Sequence, residues 1–452
     1  MQDDVENVVP EWIGSHASQL DASLFSFEAP HESQTWEQIR GILNDGPIPT
    51  MYSWNGVGLL MEWSVCMPMG KRVLYVAFSS EFFTGLTQRT HHVIRHMQKN
   101  ESIEELHVIH INNKELAPIE IRTDGKTTYY KVSILPVPKW GLNHLTAPFR
   151  VARRFHKQCS THYDYIIADT PWGGIIALLL KLFGRSKTVI YEDMDYFPGF
   201  YTKSRFRRTI MKLYEFIIMR RSRLVITVGE LLKEERQRVR KKDIHVKVNG
   251  VRYELFNRAV KNVPHPPTLI YMGYLDDWSG VDLPIRCMPE LLRSFPDLKL
   301  LIVGHGVGQK KLKELAESLG VQDYVEFAGL KAYEELPAEL SRADIGLATF
   351  RKIPLMKYAF TLKVVEYGAA GLPVIASAIG ETERYIRRHD TGILIDGDEQ
   401  SFVDAVRRLL SDRTLYERLS ANGIRSAEQY DWERILNERQ EIIDRVLDAQ
   451  RR

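Results

Sequence analysis

The sequence predicts an α/β protein built as two Rossmann-like lobes whose parallel sheets face a central cleft. Three observations predict it. Strand, loop and helix alternate from Lys71 to Val248, the pattern of a parallel sheet covered on both faces. Asn257 to Pro267 (NRAVKNVPHPP) then interrupts with prolines and polar residues, as a linker between domains does. A second alternation begins at Thr268 and continues past Ile395. Ligands of such sheets bind beyond the carboxyl ends of the strands, so functional residues are sought just after each strand.

Length and composition agree. A chain of 452 residues exceeds one ordinary domain. With 44% apolar and 26% charged residues it has the make-up of a soluble globular protein. A net charge of +3 is too small to imply nucleic acid as a partner. Cys66, Cys159 and Cys287 are far apart and form neither a metal pattern nor a disulfide framework, so a reducing, cytoplasmic compartment is expected. No apolar run is long enough to span a bilayer, and the acidic N-terminus lacks a signal-peptide pattern. Four segments follow: an N-terminal extension of unknown role over 1–70, lobes over 71–260 and 261–430, and a C-terminal helix over 431–452.

The extension is polar, then apolar and aromatic from Met51 to Trp63, without strong periodicity. Met67 and Met69 stand just before the first clear strand, so the extension is either an appendage or an over-extended start. Arg72 to Phe78 is that strand. The loop SSEFFTGLTQR follows, and a helix begins at Thr90. Leu106 to Ile111, Thr127 to Leu135, Tyr163 to Ala168, Thr188 to Tyr191, Leu224 to Val228 and Ile244 to Val248 are further strands, short and rich in β-branched residues.

In the second lobe TLIYMG, LKLLIVG, YVEFAG and Ile345 to Phe350 are strands. Val281 to Leu292 and Lys311 to Leu319 are helices. Gly304, Gly306 and Gly308 lie where LKLLIVG turns into the next helix. Their spacing fails the G-x-G-x-x-G dinucleotide fingerprint, so they read as a tight turn, near a ligand or simply between strand and helix. Gly392 to Ile395 is the last strand. Helices follow over Ser401 to Leu410, Leu415 to Gln429, and from Trp432 onward.

The most informative stretch is Thr361 to Ser377, TLKVVEYGAAGLPVIAS. Leu362 to Ala370 has helical apolar spacing, Gly371 and Pro373 stop it, and Val374 to Ala376 is a buried strand. Lys363 and Glu366 are three residues apart and share one side of that helix. A cation and a carboxylate at a helix start suit a diphosphate and a ribose. The competing reading is an exposed i,i+3 ion pair.

These pieces together resemble the GT-B glycosyltransferases, and the C-terminal half looks like glycosyltransferase family 4. The resemblance rests on NGV at Asn249 to Val251, IVGHG at Ile302 to Gly306, FAG at Phe327 to Gly329, and ADIGL at Ala343 to Leu347. KVVEYGAAGLPVIAS and TGILID with the later Asp398 complete it. It covers roughly Lys71 to Trp432 and implies an acceptor lobe followed by a nucleotide-sugar lobe. On that reading Lys363 meets the diphosphate and Glu366 the ribose. Thr361, Leu362, Gly304 and Gly306 belong to the same nucleotide-sugar site, and the Phe327 to Lys331 loop, with Phe327 and Gly329, borders the base.

Two departures stand out. The family's E-x7-E frame keeps its second glutamate as Glu366 but has Tyr358 where the first would be. The positions of the usual phosphate-binding Arg and Lys hold Tyr274 and Ser279. Lys363 is the replacement cation. The segment PLMKYAFTLKVVEYGAAGLPVI is similar to the donor segment of xanthan-assembly glucuronosyltransferases, which carry a lysine matching Lys363. VIYEDMDYF is similar to their strand end bearing a catalytic aspartate, and Asp195 takes that position.

Asp195 has a chemical role available to it. Inverting transfer needs a base for the acceptor hydroxyl, and the neighbouring Glu192 and Asp193 would raise its pKa. Alternatively EDMD caps a helix or holds basic residues. Arg89, His92 and Asp169 are the acceptor-side candidates, with core or surface roles as their rivals. Trp172 is a candidate sugar platform or a core residue. The run Thr202 to Arg223 offers Phe206, Ile210, Leu213, Tyr214 and Ile217 as an apolar face beside Arg205, Arg207, Arg208 and Lys212. It reads either as a helix for peripheral contact with an anionic membrane or as a domain helix with a solvated basic face.

The expected activity is metal-independent glycosyl transfer, without a cofactor, from a nucleotide-diphospho-sugar, a UDP-sugar first, to a saccharide or polyprenyl-linked acceptor. Its rivals are a UDP-sugar epimerase of the same double-Rossmann plan and a non-catalytic sugar- or nucleotide-binding protein.

Overall fold

The computed structural model describes residues 70–77, 89–112, 118–133, 142–201, 204–257 and 265–451. The N-terminal extension to residue 69, the loop 78–88 and linker residues 258–264 lie outside the described residues.

Two sheets organise the described chain. The first has the order β3-β4-β2-β1-β5-β6-β7-β8. Its strands are β1 (Lys71–Ala77), β2 (Ile103–Asn112), β3 (Glu120–Asp124), β4 (Thr127–Ser133), β5 (Tyr165–Asp169), β6 (Val189–Asp193), β7 (Leu224–Thr227) and β8 (Ile244–Val246). The second has the order β11-β10-β9-β12-β13-β14. It comprises β9 (Thr268–Met272), β10 (Lys299–Val303), β11 (Val325–Gly329), β12 (Ile345–Ala348), β13 (Val374–Ser377) and β14 (Gly392–Ile395). Every strand pair is parallel except β3 with β4.

The hairpin β3–β4 is a correction to the sequence reading. Its turn, Asp124-Gly125-Lys126, uses Gly125 at φ 55°. β3 reads EIRTD and all five residues are exposed, so no apolar run announced it. An antiparallel edge strand that buries nothing leaves only its turn residues as a signal. Central strands are the opposite case: Val73 to Ala77 and Ile166 to Ala168 are fully buried, as strands covered on both faces must be.

The chain crosses between the lobes twice, side by side. Val251 donates its N–H to the Tyr430 carbonyl at 2.9 Å, and Trp432 donates to the Val251 carbonyl at 3.0 Å. Gly250 permits this approach, because a Cβ there would stand 2.7 Å from the Tyr430 oxygen. After the second crossing the helix Trp432–Arg451 returns to the first lobe. There Trp432, Leu436, Ile443 and Leu447 join Val73, Tyr75, Ile94 and Met97 in one core.

The helix Arg205–Arg221 also differs from its expected face. Ile210, Met211, Tyr214, Ile218 and Met219 pack inward with Trp172 and Tyr191. Phe206, Leu213 and Phe216 point out. Tyr214 and Ile210, expected on the outer apolar face, are therefore core, and Phe216 takes their part.

Candidate functional site

Lys363 lies in the first turn of the helix Leu362–Ala369, whose N-cap Thr361 makes no side-chain capping bond. The first-turn N–H groups are thus left without that partner, and the helix dipole adds positive potential there. The Lys363 ammonium sits 4.0 Å above the Tyr271 ring and 4.8 Å from the Phe350 ring. Cation–π contacts of this kind contribute about 0.5–2 kcal/mol each. It also lies against Gly273, where an added Cβ would stand 2.9 Å from Nζ. Burial lowers its pKa to about 7, with Glu366 opposing the shift. Glu366 is itself buried, and burial raises its carboxyl to about 7 against the pull of Lys363. The pair is therefore no exposed i,i+3 ion pair. It is a half-buried cation and a buried carboxyl on one helix face.

The glycines of GHGVG serve the same corner. Gly304 has φ 140°, and a Cβ there would lie 1.9 Å from the Gly273 carbonyl. A Cβ at Gly306 would lie 2.1 Å from the Leu275 carbonyl. Leu275 donates to the His305 carbonyl at 2.9 Å, and Gly304 to the Gly329 carbonyl at 2.7 Å. The loops after β9, β10 and β11 are thereby laced into one backbone ledge beside Lys363. Phe327 packs against the second lobe's core, with the Lys313 ammonium 5.4 Å from its ring. Leu362 reaches across to the first lobe's core. Ser279 is buried and donates to the Asp276 carbonyl, while exposed Tyr274 packs edge-on to His305.

The acidic run after β6 splits into two kinds. Glu192 and Asp193 are buried and hold arginines. Arg236 binds Asp193 at 2.6 and 3.2 Å and Glu215 at 2.8 and 2.7 Å. Asp195 is partly exposed. Burial raises its carboxyl to about 7, and the negative charge of Asp193 adds to the rise. The next residue, Tyr196, packs its ring 4.7 Å from that of Tyr358 in the second lobe. Tyr358, the departure from E-x7-E, thus fills the seam between lobes, its hydroxyl 3.5 Å from Glu235.

The acceptor-side candidates are largely committed to structure. Arg89 is buried, donates to the Val248 carbonyl and Asn249 Oδ1 at 2.9 and 3.2 Å, and faces Glu192 at 3.5 Å. It ties the helix Arg89–Lys99 to the first crossing. Asp169 is buried and accepts from Thr90 Oγ1 at 2.9 Å and the Tyr75 hydroxyl at 3.4 Å. His92 stacks on Trp432 at 4.6 Å. Burial and nearby arginines, Arg95 foremost, lower its pKa to about 3, so it is neutral. It lines a groove of about 1200 Å3 with Arg95, Arg252, Trp432 and Asp444. Trp172 is a core residue.

Sequence reasoning missed Tyr271, Phe350, Arg236 and Arg439. Tyr271 carried a faint signal, one aromatic in an aliphatic strand directly before Gly273. A distant arginine carries none. Among the described residues no three His, Cys, Asp or Glu side chains converge as a metal-ligand set. No described helix is long and apolar enough to cross a membrane.

Comparison with known proteins bears on the same lobe. Residues 254–426 match the family model described as glycosyl transferases group 1. The GDP-mannose-dependent alpha-(1-6)-phosphatidylinositol monomannoside mannosyltransferase of Mycobacterium tuberculosis is 34% identical over 160 residues, 35% of this chain and 42% of that protein. The phosphatidyl-myo-inositol mannosyltransferase of Mycobacterium leprae is 27% identical over 250 residues, 54% of this chain and 64% of its own. The match thus spans less than two thirds of either relative. Among solved structures, sucrose-phosphate synthase from Thermosynechococcus elongatus superposes with TM-score 0.68 at 18% identity, covering 84% of this chain and all of that one (100%). Anabaena Alr3699/HepE in complex with UDP gives 0.63 at 18% identity over 82% and 99% of the two chains. The two-lobed fold is that of the GT-B glycosyltransferases.

Proposed function

We propose that this chain, whose residues 254–426 match the family model described as glycosyl transferases group 1, transfers a sugar from a nucleotide-diphospho-sugar to a saccharide or polyprenyl-linked acceptor. The observation that carries this reading is the Lys363 ammonium. It is held between Tyr271 and Phe350 at an uncapped helix start, beside a ledge of backbone. A diphosphate leaving group needs a desolvated cation and helix N–H donors to take up its developing charge. Glu366 accepts from the ribose hydroxyls in this reading, and the Phe327 to Lys331 loop borders the base.

Asp195 is the proposed base. It removes the acceptor hydroxyl proton while the oxygen bonds to the anomeric carbon and the bond to the diphosphate breaks. A carboxyl near 7 is well matched to that task at neutral pH. UDP is the first proposed leaving nucleotide, on the sequence resemblance around Lys363 alone. The mannosyltransferase relative named for GDP-mannose makes GDP the second arm.

The test is a thermal-shift panel of nucleoside diphosphates, followed by turnover assays with the best-matched donor class. Stabilisation by a diphosphate together with acceptor-dependent transfer supports the reading. Conversion of the donor sugar without acceptor would make the protein an epimerase. Nucleotide binding without turnover would make it a silent binder.

A further inference from the structure

We propose that the outer face of the helix Arg205–Arg221, with the neighbouring start of the helix Leu142–Gln158, docks on an anionic lipid bilayer. Phe206 is 55% exposed, Leu213 50% and Phe216 44%. Their spacing of seven and three residues puts them on one helical stripe. Phe200 precedes this helix in the short 3-10 turn Phe197–Tyr201 and is also exposed. Leu145 and Phe149, one turn apart on the second helix, are exposed too. The two helices touch: the Tyr214 hydroxyl donates to the Leu145 carbonyl at 3.4 Å. Large apolar side chains clustered on one face mark an interaction surface.

The charge around them selects the partner. The helix Arg205–Arg221 carries six Arg or Lys residues and one acid. That acid, Glu215, is buried against Arg236. The helix Leu142–Gln158 carries four Arg or Lys residues and no acid. The whole chain has a net charge of only +3, so basic charge is concentrated on these two helices. Exposed Arg205, Lys212, Arg220 and Arg221 flank the stripe, and the Arg220 guanidinium lies 4.9 Å from the Phe216 ring. Aromatic and aliphatic side chains set among cations, without an exposed acid, match the acyl–headgroup boundary of an anionic bilayer. A protein partner would need acids of its own matched to this geometry. A bilayer supplies them everywhere.

The face also has a place in the chain's function. The chain runs from Asp195 through the 3-10 turn into the docking helix, so a surface-held acceptor would be delivered at the start of this element. The proposal shares with the proposed reaction only the polyprenyl-linked acceptor. Vesicle binding is measured without donor or acceptor, so failure of one leaves the other standing.

The experiment is co-sedimentation of the full chain with vesicles of phosphatidylcholine alone and of phosphatidylcholine mixed with phosphatidylglycerol. The protein is expected to partition onto the mixed vesicles and to be released by salt. Replacing Phe206, Leu213 and Phe216 by serine should lower that partition at least roughly tenfold. Charge reversal by Arg205→Glu with Lys212→Glu should do the same. UDP thermal shift, or an unchanged melting temperature, certifies that the variants fold. Absence of binding to mixed vesicles, or binding equal in the triple-serine variant, would overturn the proposal. A self-association seen by sedimentation velocity that the triple-serine change abolishes, without vesicle binding, would assign the face to a second copy and overturn it likewise.

Discussion

Glu192 accepts from Arg439 Nε at 2.5 Å, and its other oxygen faces Arg89 Nε at 3.5 Å. One carboxylate at the end of β6 therefore holds two buried guanidinium groups, one from the last helix and one from the helix that contacts the lobe crossing. Removing the shared partner leaves two buried cations without an anion, whereas removing Arg439 leaves Glu192 still neutralised by Arg89.

The expected outcome is graded. Glu192→Gln should cost about 3–5 kcal/mol of folding stability. Arg439→Met should cost clearly less. Urea unfolding of the two variants checks the order. An Arg439→Met loss equal to that of Glu192→Gln would contradict the shared-carboxylate arrangement.

Asp195 gives a pH prediction with a definite sign. Its carboxyl is raised to about 7 from an ordinary 3.8. Between those values the folded chain keeps a proton that the unfolded chain has released. Its contribution to stability is thus full in acid and is lost as pH rises through about 7. Asp195→Asn removes that dependence, so the variant should gain melting temperature over the native protein at pH above 7, and little in acid. The same variant should abolish transfer while leaving nucleotide binding intact. Equal melting differences across the pH range would show that Asp195 is not held in its protonated form.

Lys363 titrates in the same region for the opposite group type. Its ammonium is lowered to about 7, so the free protein loses the charge as pH rises past that value. UDP affinity should fall from the acid to the alkaline side in the native protein. Lys363→Met should weaken it at least roughly tenfold and flatten the dependence, since a charge-assisted contact to phosphate contributes about 1.5–3 kcal/mol. Calorimetry on both sides of neutrality is the measurement. A native-like affinity in the variant would remove Lys363 from the site.

Gly304→Ala should disturb the ledge. Its φ of 140° and the Gly273 carbonyl 1.9 Å from a Cβ leave no room for one. The loops after β9 and β10 would have to part, costing well over about 1 kcal/mol. Reduced UDP affinity together with a lower melting temperature is the expected pair of readings. A melting temperature equal to the native one would show that the loops yield freely.

The parts legible in the sequence were those written in periodicity. Gly392 to Ile395 and Trp432 onward appear where the apolar spacing put them, while the crossing into the second lobe falls at Val251, ahead of the expected linker. What stayed hidden was tertiary. The run EDMD showed three acids of similar chemistry, but only Arg236 and Arg439, far along the chain, divide the buried Glu192 and Asp193 from Asp195. Arg89 and Asp169 followed strands, as site residues do, yet one is turned onto Glu192 and the crossing, the other onto Thr90 and Tyr75. The helix Arg205–Arg221 presented enough apolar residues for two faces, and only packing against Trp172 and Tyr191 chose which went in.

A crystal of the protein grown with UDP tests the central claim most directly. The account predicts the diphosphate within ion-pairing distance of Lys363 at the start of the helix Leu362–Ala369, with the ribose hydroxyls on Glu366. A nucleotide seated elsewhere, with Lys363 still enclosed by Tyr271 and Phe350 and touching no phosphate, would contradict it.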